Sequence, residues 1–333
     1  MKKVPVLLMF TCFFCVSLSA QKLVIPSQDT KTSFRGLSIA KNCIWVSGSG
    51  GTVGRSTDAG KTWQWFVVPG QEKNEFRDVE ALDSNTAIVM GIAAPAYIFK
   101  TSNGGKTWKK VYQNNHPSMF LDAMAFKNRE EGMVVGDPID GKIFVAETKD
   151  GGHTWRETNK LNLPEAKDGE AFFAASGTNT IWSGSQYYIV SGGITSRIFM
   201  NKTAVWLPTT QGSQMKGANG LAVQGKNILV AGGDYHHLNK ADSAFVYSID
   251  AGKTWELPST PTGGYRSCIC FAGKDTAVAV GLSGIDITYD AGKNWKTISR
   301  EGFNTCAYSS MEKAVYLVGN NGRLGKLFPS LPF

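Results

Sequence analysis

Residues 56–63 read Ser56-Thr57-Asp58-Ala59-Gly60-Lys61-Thr62-Trp63, and near-copies of this stretch recur along the chain. They are Thr101-Ser102-Asn103-Gly104-Gly105-Lys106-Thr107-Trp108, Thr148-Lys149-Asp150-Gly151-Gly152-His153-Thr154-Trp155, Ser248-Ile249-Asp250-Ala251-Gly252-Lys253-Thr254-Trp255 and Thr288-Tyr289-Asp290-Ala291-Gly292-Lys293-Asn294-Trp295. A sixth copy retains only Asn201, Thr203 and Trp206. From tryptophan to tryptophan the steps are 45, 47, 51, 49 and 40 residues. That period suits one supersecondary unit and is too short for a domain, so the chain is a repeat array.

The residue types at this spacing describe a tight turn. A short side-chain oxygen on Asp58, Asn103, Asp150, Asp250 and Asp290 can bond back to the local backbone, and the glycine two residues on takes a positive φ. Trp63, Trp108, Trp155, Trp255 and Trp295 then bury a large ring on the strand that follows. Around the first copy, Phe34–Ile39, Cys43–Gly48, Thr52–Ser56 and Trp63–Val67 read as four short strands separated by polar or glycine turns. Four antiparallel strands per period make one blade of a propeller.

Six further periods align on this one, and the seventh ends with Gly322–Leu327, one strand short. The apolar segment Lys22–Pro26 has no blade of its own and can supply the missing strand, closing the ring and removing its exposed edges. The expected fold is therefore all-β: a seven-bladed β-propeller of four-stranded antiparallel blades, closed by the N-terminal strand of the mature chain.

Residues 1–20 have the layout of a cleaved secretory signal, with Lys2 and Lys3 before the apolar run Val4–Val16 and the small residues Ser17, Ser19 and Ala20 after it. Residues 21–333 then form a single propeller domain, exported to the periplasm or secreted. Loss of two lysines with the signal lowers the net charge from +8 to +6, that is 33 Lys and Arg against 27 Asp and Glu. The excess is spread over the repeats, and no basic helix or RNA-binding motif suggests nucleic acid. Four cysteines remain, Cys43, Cys268, Cys270 and Cys306, too few for the disulfide framework of a small secreted domain. Cys268 and Cys306 fall at one register position of neighbouring blades.

The repeated turn resembles the Asp-box, or BNR repeat, of sialidases and sortilin-type receptors. The fuller phrase, Trp45-Val46-Ser47-Gly48, a double glycine, a short strand and then the box, is similar to the repeat of the photosystem II stability and assembly factor family and its bacterial relatives. That resemblance implies a non-enzymatic protein-binding or assembly scaffold for an envelope or membrane-associated complex, with no cofactor and no metal.

Aligned first strands place Arg35, Arg77 and Arg266 at one register position, which would gather three guanidiniums at the mouth of the central channel. Such a cluster suits a carboxylate or phosphate on a protein partner or acidic ligand. A sialidase-like glycoside hydrolase would also need three arginines, together with an acid and a tyrosine–glutamate pair. Its Phe/Tyr-Arg-Ile-Pro signature is missing: Gly36 follows Phe34-Arg35, and Phe199 follows Arg197-Ile198. A secreted glycan-binding module is the third reading. In the insertion Asp234–Asp242, His236 and His237 are adjacent, so on a strand they would point to opposite faces with no spaced partner for a metal. The expected state is a monomer.

Overall fold

In the computed structural model of the protein, residues 22–25 and 30–329 are described; residues 1–20, where a signal is expected, lie outside them. The described residues are all-β apart from a single turn of 3-10 helix at Lys160–Asn162. They form seven antiparallel sheets, one per blade, and the short strands Glu170–Ala171 and Gly192–Gly193 extend the sheet of blade five. Blade one comprises Phe34–Ala40, Cys43–Gly48, Thr52–Ser56 and Gln64–Val67. Blade seven comprises Thr305–Ser309, Ala314–Val318 and Leu324–Phe328, and Lys22–Val24 completes it, pairing Lys22 with Phe328 and Val24 with Lys326. Blade five departs from the pattern: its outer strand is reduced to one bridge between Tyr247 and Glu256.

Each blade presents apolar side chains to both neighbours, so the core is a ring of seven clusters rather than one centre. Trp45, fully buried, packs with Phe76, Val89 and Phe99 between blades one and two. Phe34, Ile44 and Val46 meet Tyr316 and Val318 where blade one abuts blade seven, which is the seam that closes the ring.

The repeated turns have the geometry their sequence requires. Asp58 Oδ1 accepts from the backbone N–H of Lys61 at 3.1 Å and of Thr62 at 2.9 Å, and its Oδ2 accepts from the Thr62 hydroxyl at 2.6 Å. Asp150, Asp250 and Asp290 repeat these bonds, and Asn103 substitutes by donating its amide to Thr107 Oγ1 at 2.8 Å. Two consecutive residues take positive φ, Ala59 at 60° and Gly60 at 82° in blade one, which explains a small residue followed by glycine. Trp63, Trp108 and Trp255 are half-buried, and Trp155 and Trp295 buried. Ala59 N–H bonds Asn42 O, at the end of the first strand remote from Arg35, so these turns lie on the face away from the arginines.

Candidate functional site at the channel mouth

The innermost strands of blades one and two each carry a β-bulge, between Phe34 and Gly36 and between Phe76 and Asp78, and the bulged residues are Arg35 and Arg77. A bulge re-aims one side chain out of the pleat. Both arginines reach the same carboxylate: Arg35 Nε lies 3.3 Å from Glu75 Oε1 and an Arg77 terminal nitrogen 2.9 Å from Glu75 Oε2. Three formal charges leave one net positive charge, and burial followed by repulsion from Arg77 lowers the pKa of Arg35.

Beneath the arginines the channel is filled by the protein's own chain. The link from blade three to blade four runs from Thr158 to Asn179 and dips inward at Phe172–Thr178. Arg35 donates to Ala175 O at 3.3 Å and Arg77 to Ala174 O at 3.4 Å. Ser176 donates to Ser267 O of blade six at 2.8 Å, and Thr305 of blade seven donates to Ser176 O at 3.1 Å. At Gly177, with φ +69°, an added Cβ would lie 2.4 Å from the Oδ1 of buried Asp78, on blade two. This plug therefore touches blades one, two, six and seven and leaves a mouth with a floor instead of a through-channel. Its approach is fixed by Glu170, whose carboxylate is held by Arg197 Nε at 2.9 Å and by the Ser191 hydroxyl at 2.5 Å.

Above the floor lies a cavity of about 570 Å³. Arg35 and Arg77 line one part of it, and Phe120, Phe173, Tyr235 and Tyr265 another. Tyr265 is fixed by its hydroxyl, which donates to Asn219 Oδ1 at 2.9 Å, and Tyr235 meets it edge-on at 5.7 Å while staying 40% exposed. Asp137 reaches the cavity and accepts from Phe172 N–H at 2.9 Å; burial raises its pKa. Asp122 behind it is fully buried, and burial, then the nearby Asp137, pushes its pKa well above the carboxylate range. Burial thus weakens Asp122 and Asp137 as charges, while Glu75 stays paired with the two guanidiniums.

Arg266 does not join them, which corrects the expected arginine triad. Its backbone N–H donates to Gly232 O of the preceding blade, as Phe34 donates to Gly319 O and Phe303 to Gly281 O. Arg266 therefore occupies the phenylalanine position, and Ser267 is the residue equivalent to Arg35. In a strand of period two a one-residue slip turns the side chain to the other face. Its side chain is fully buried, with Nε 2.7 Å from Asp286 Oδ2 and a terminal nitrogen donating to Tyr265 O at 2.7 Å. In blade three the bulged residue, at the place of Arg35, is Asp122 between Leu121 and Ala123. The insertion at residues 234–242 folds on itself, His237 Nδ1 lying 2.9 Å from Asp234 Oδ2, and contributes Tyr235 to the mouth. Among the described residues no group of three His, Cys, Asp or Glu could hold a metal ion.

No protein-family model matches the sequence, and no curated protein matches it. Solved structures do. YCF48 bound to D1 peptide aligns with a TM-score of 0.62 at 13% identity, covering 94% of this chain and 97% of that one. YCF48 from Cyanidioschyzon merolae aligns with a TM-score of 0.64 at 15% identity, covering 92% and 99%. The GH74 xyloglucanase from Xanthomonas campestris aligns with a TM-score of 0.62 at 11% identity, covering 92% of this chain and 53% of that one. At these identities the likeness is one of fold: the chain is a seven-bladed β-propeller similar in architecture to binding propellers and to a hydrolase propeller alike.

Proposed function

We propose that the protein is an exported, non-catalytic scaffold that holds a protein partner by an extended acidic peptide laid across the channel mouth, in an assembly or stability role at the cell envelope. The observation that carries this reading is the Arg35–Glu75–Arg77 cluster set beside four aromatic rings over a floor made by the chain itself. Two guanidiniums sharing one carboxylate keep donors for a second, and the aromatic wall covers the apolar neighbours of that acid. The structural likeness to YCF48, one structure of which is described as bound to D1 peptide, supports a peptide as the partner. The five repeated turns read as Asp-boxes and serve the fold.

A sialidase-like site would need a third arginine at the mouth, and Arg266 is committed to Asp286. The test is binding of acidic peptides by wild type and by Arg35→Ala/Arg77→Ala, with Arg266 intact in both. Loss of binding in the variant at unchanged thermal stability supports the reading. Turnover of a fluorogenic glycoside that the same variant abolishes would replace it with the hydrolase reading. Retention on acidic polysaccharide, eroded by salt, would favour a glycan partner.

A further inference from the structure

Cys268 and Cys306 lie on the first strands of blades six and seven, and both are buried. They are not in equal register: Cys268 pairs with Val280, whereas Thr305, not Cys306, pairs with the equivalent Val318. That offset turns the two side chains toward each other and sets their sulfurs 3.5 Å apart. The backbone N–H of Cys306 donates to Cys268 Sγ at 3.3 Å and the Thr305 hydroxyl at 3.5 Å. Thus Cys268 sulfur sits among donors that favour its thiolate, although the site is dry. Among the described residues no strand ladder joins blades six and seven, only the bond from Phe303 N–H to Gly281 O and side-chain contacts, so a covalent bond here would add a tie between the two sheets.

We propose that Cys268 and Cys306 form an inter-blade disulfide when the chain folds in the presence of a small-molecule disulfide oxidant. The Cys268 thiolate attacks one sulfur of the oxidant, breaking its S–S bond, forming a mixed disulfide and expelling one thiolate. The Cys306 thiol gives its proton to that thiolate, attacks the Cys268 sulfur and expels the second thiolate. The second thiolate takes up a proton from solvent in place of the one Cys268 released on ionising, so that two protein thiols are oxidised and one oxidant disulfide is reduced to two thiols. The bond requires the sulfurs to close from 3.5 Å to about 2.0 Å. The reaction occurs as blades six and seven close, before both sulfurs are sealed from solvent.

Cys270 is the natural competitor, being half-buried on the strand of Cys268 and one pleat further along. The test is to unfold the reduced chain of residues 21–333, which carries four cysteines, refold it in glutathione redox buffer, alkylate under denaturing conditions and map the peptides by mass. The expected result is two alkylated cysteines, Cys43 and Cys270, with a peptide pair joined through Cys268 and Cys306. Cys270→Ala should keep the cross-link and Cys306→Ala should lose it. Four alkylated cysteines at every oxidant ratio, or a cross-link through Cys270, would overturn the proposal.

Discussion

Arg266→Ala separates the structural arginine from the two at the mouth. In the wild type its guanidinium is desolvated but pairs with Asp286 at 2.7 Å and donates to Tyr265 O and, at 3.0 Å, to the Ser283 hydroxyl. Truncation leaves Asp286 with the Gly263 N–H at 2.9 Å and the Thr297 hydroxyl at 2.6 Å but no counter-charge. Removing one partner of a buried pair costs about 3–5 kcal/mol, mostly because the other charge stays buried. With roughly 300 ordered residues and an unfolding entropy of ~2.1 cal/mol/K per residue, that is a fall in Tm of about 5–8 °C. Calorimetry and guanidinium unfolding measure it. Asp286→Ala should cost a similar amount and the double variant less than the sum, as for residues in one contact. Peptide binding at the mouth should be retained below the new Tm. Stability within about 1 kcal/mol of wild type, or binding lost with stability intact, would refute the assignment.

Three further outcomes follow from the same geometry. Asp58 and Asp250 are held at a pKa of about 2, the hydroxyl and N–H of Thr62 and Thr254 being the main causes. Their contribution is complete above the unfolded value of about 3.9 and is lost as pH falls toward 2. Asp58→Asn, which gives blade one the residue blade two already uses at Asn103, should keep the fold at pH 7 and flatten that part of the acid-unfolding curve. Glu80 is raised to about 7 by burial, so its folded form binds the proton more tightly and stability falls as pH rises from about 4 to 7. Glu80→Gln should be neutral at pH 4 and more stable than wild type at pH 8, as chemical unfolding at the two pH values will show. Gly177→Val places a β-branched side chain at φ +69° against Asp78, and should destabilise by about 1–3 kcal/mol and loosen the plug. Hydrogen exchange at residues 174–178 reads that loosening directly.

The turns were legible because everything that fixes them is local. Asp58, Gly60 and Thr62 lie within five residues, so their chemistry shows in sequence, and the period they mark gives the blades. The closing strand was legible by subtraction, since blade seven lacked an edge that Lys22–Val24 could supply. The mouth was half legible. Arg35 and Arg77 were found because blades one and two have the same spacing and the same bulge. Arg266 was misplaced because Tyr265-Arg266 looks like Phe34-Arg35 in sequence, whereas Arg266 takes the place of Phe34, and a one-residue slip changes the face. The plug left no periodic signal: Ala174-Ala175-Ser176-Gly177-Thr178 is small and polar, and reads as a loop. Its trace was the long link between Trp155 and the next strand at Thr180, longer than a blade connection needs. Phe173, Tyr235 and Tyr265 reach the mouth from three separate elements, which no single stretch of sequence reveals.

The central claim is that Arg35 and Arg77 take an acidic peptide over the plugged channel. Selection from a random peptide library, run in parallel on wild type and Arg35→Ala/Arg77→Ala, tests it most directly. Wild type should enrich peptides with a carboxylate beside apolar residues, and the variant, folded to the same Tm, should enrich none of them. Equal enrichment by both proteins would contradict it.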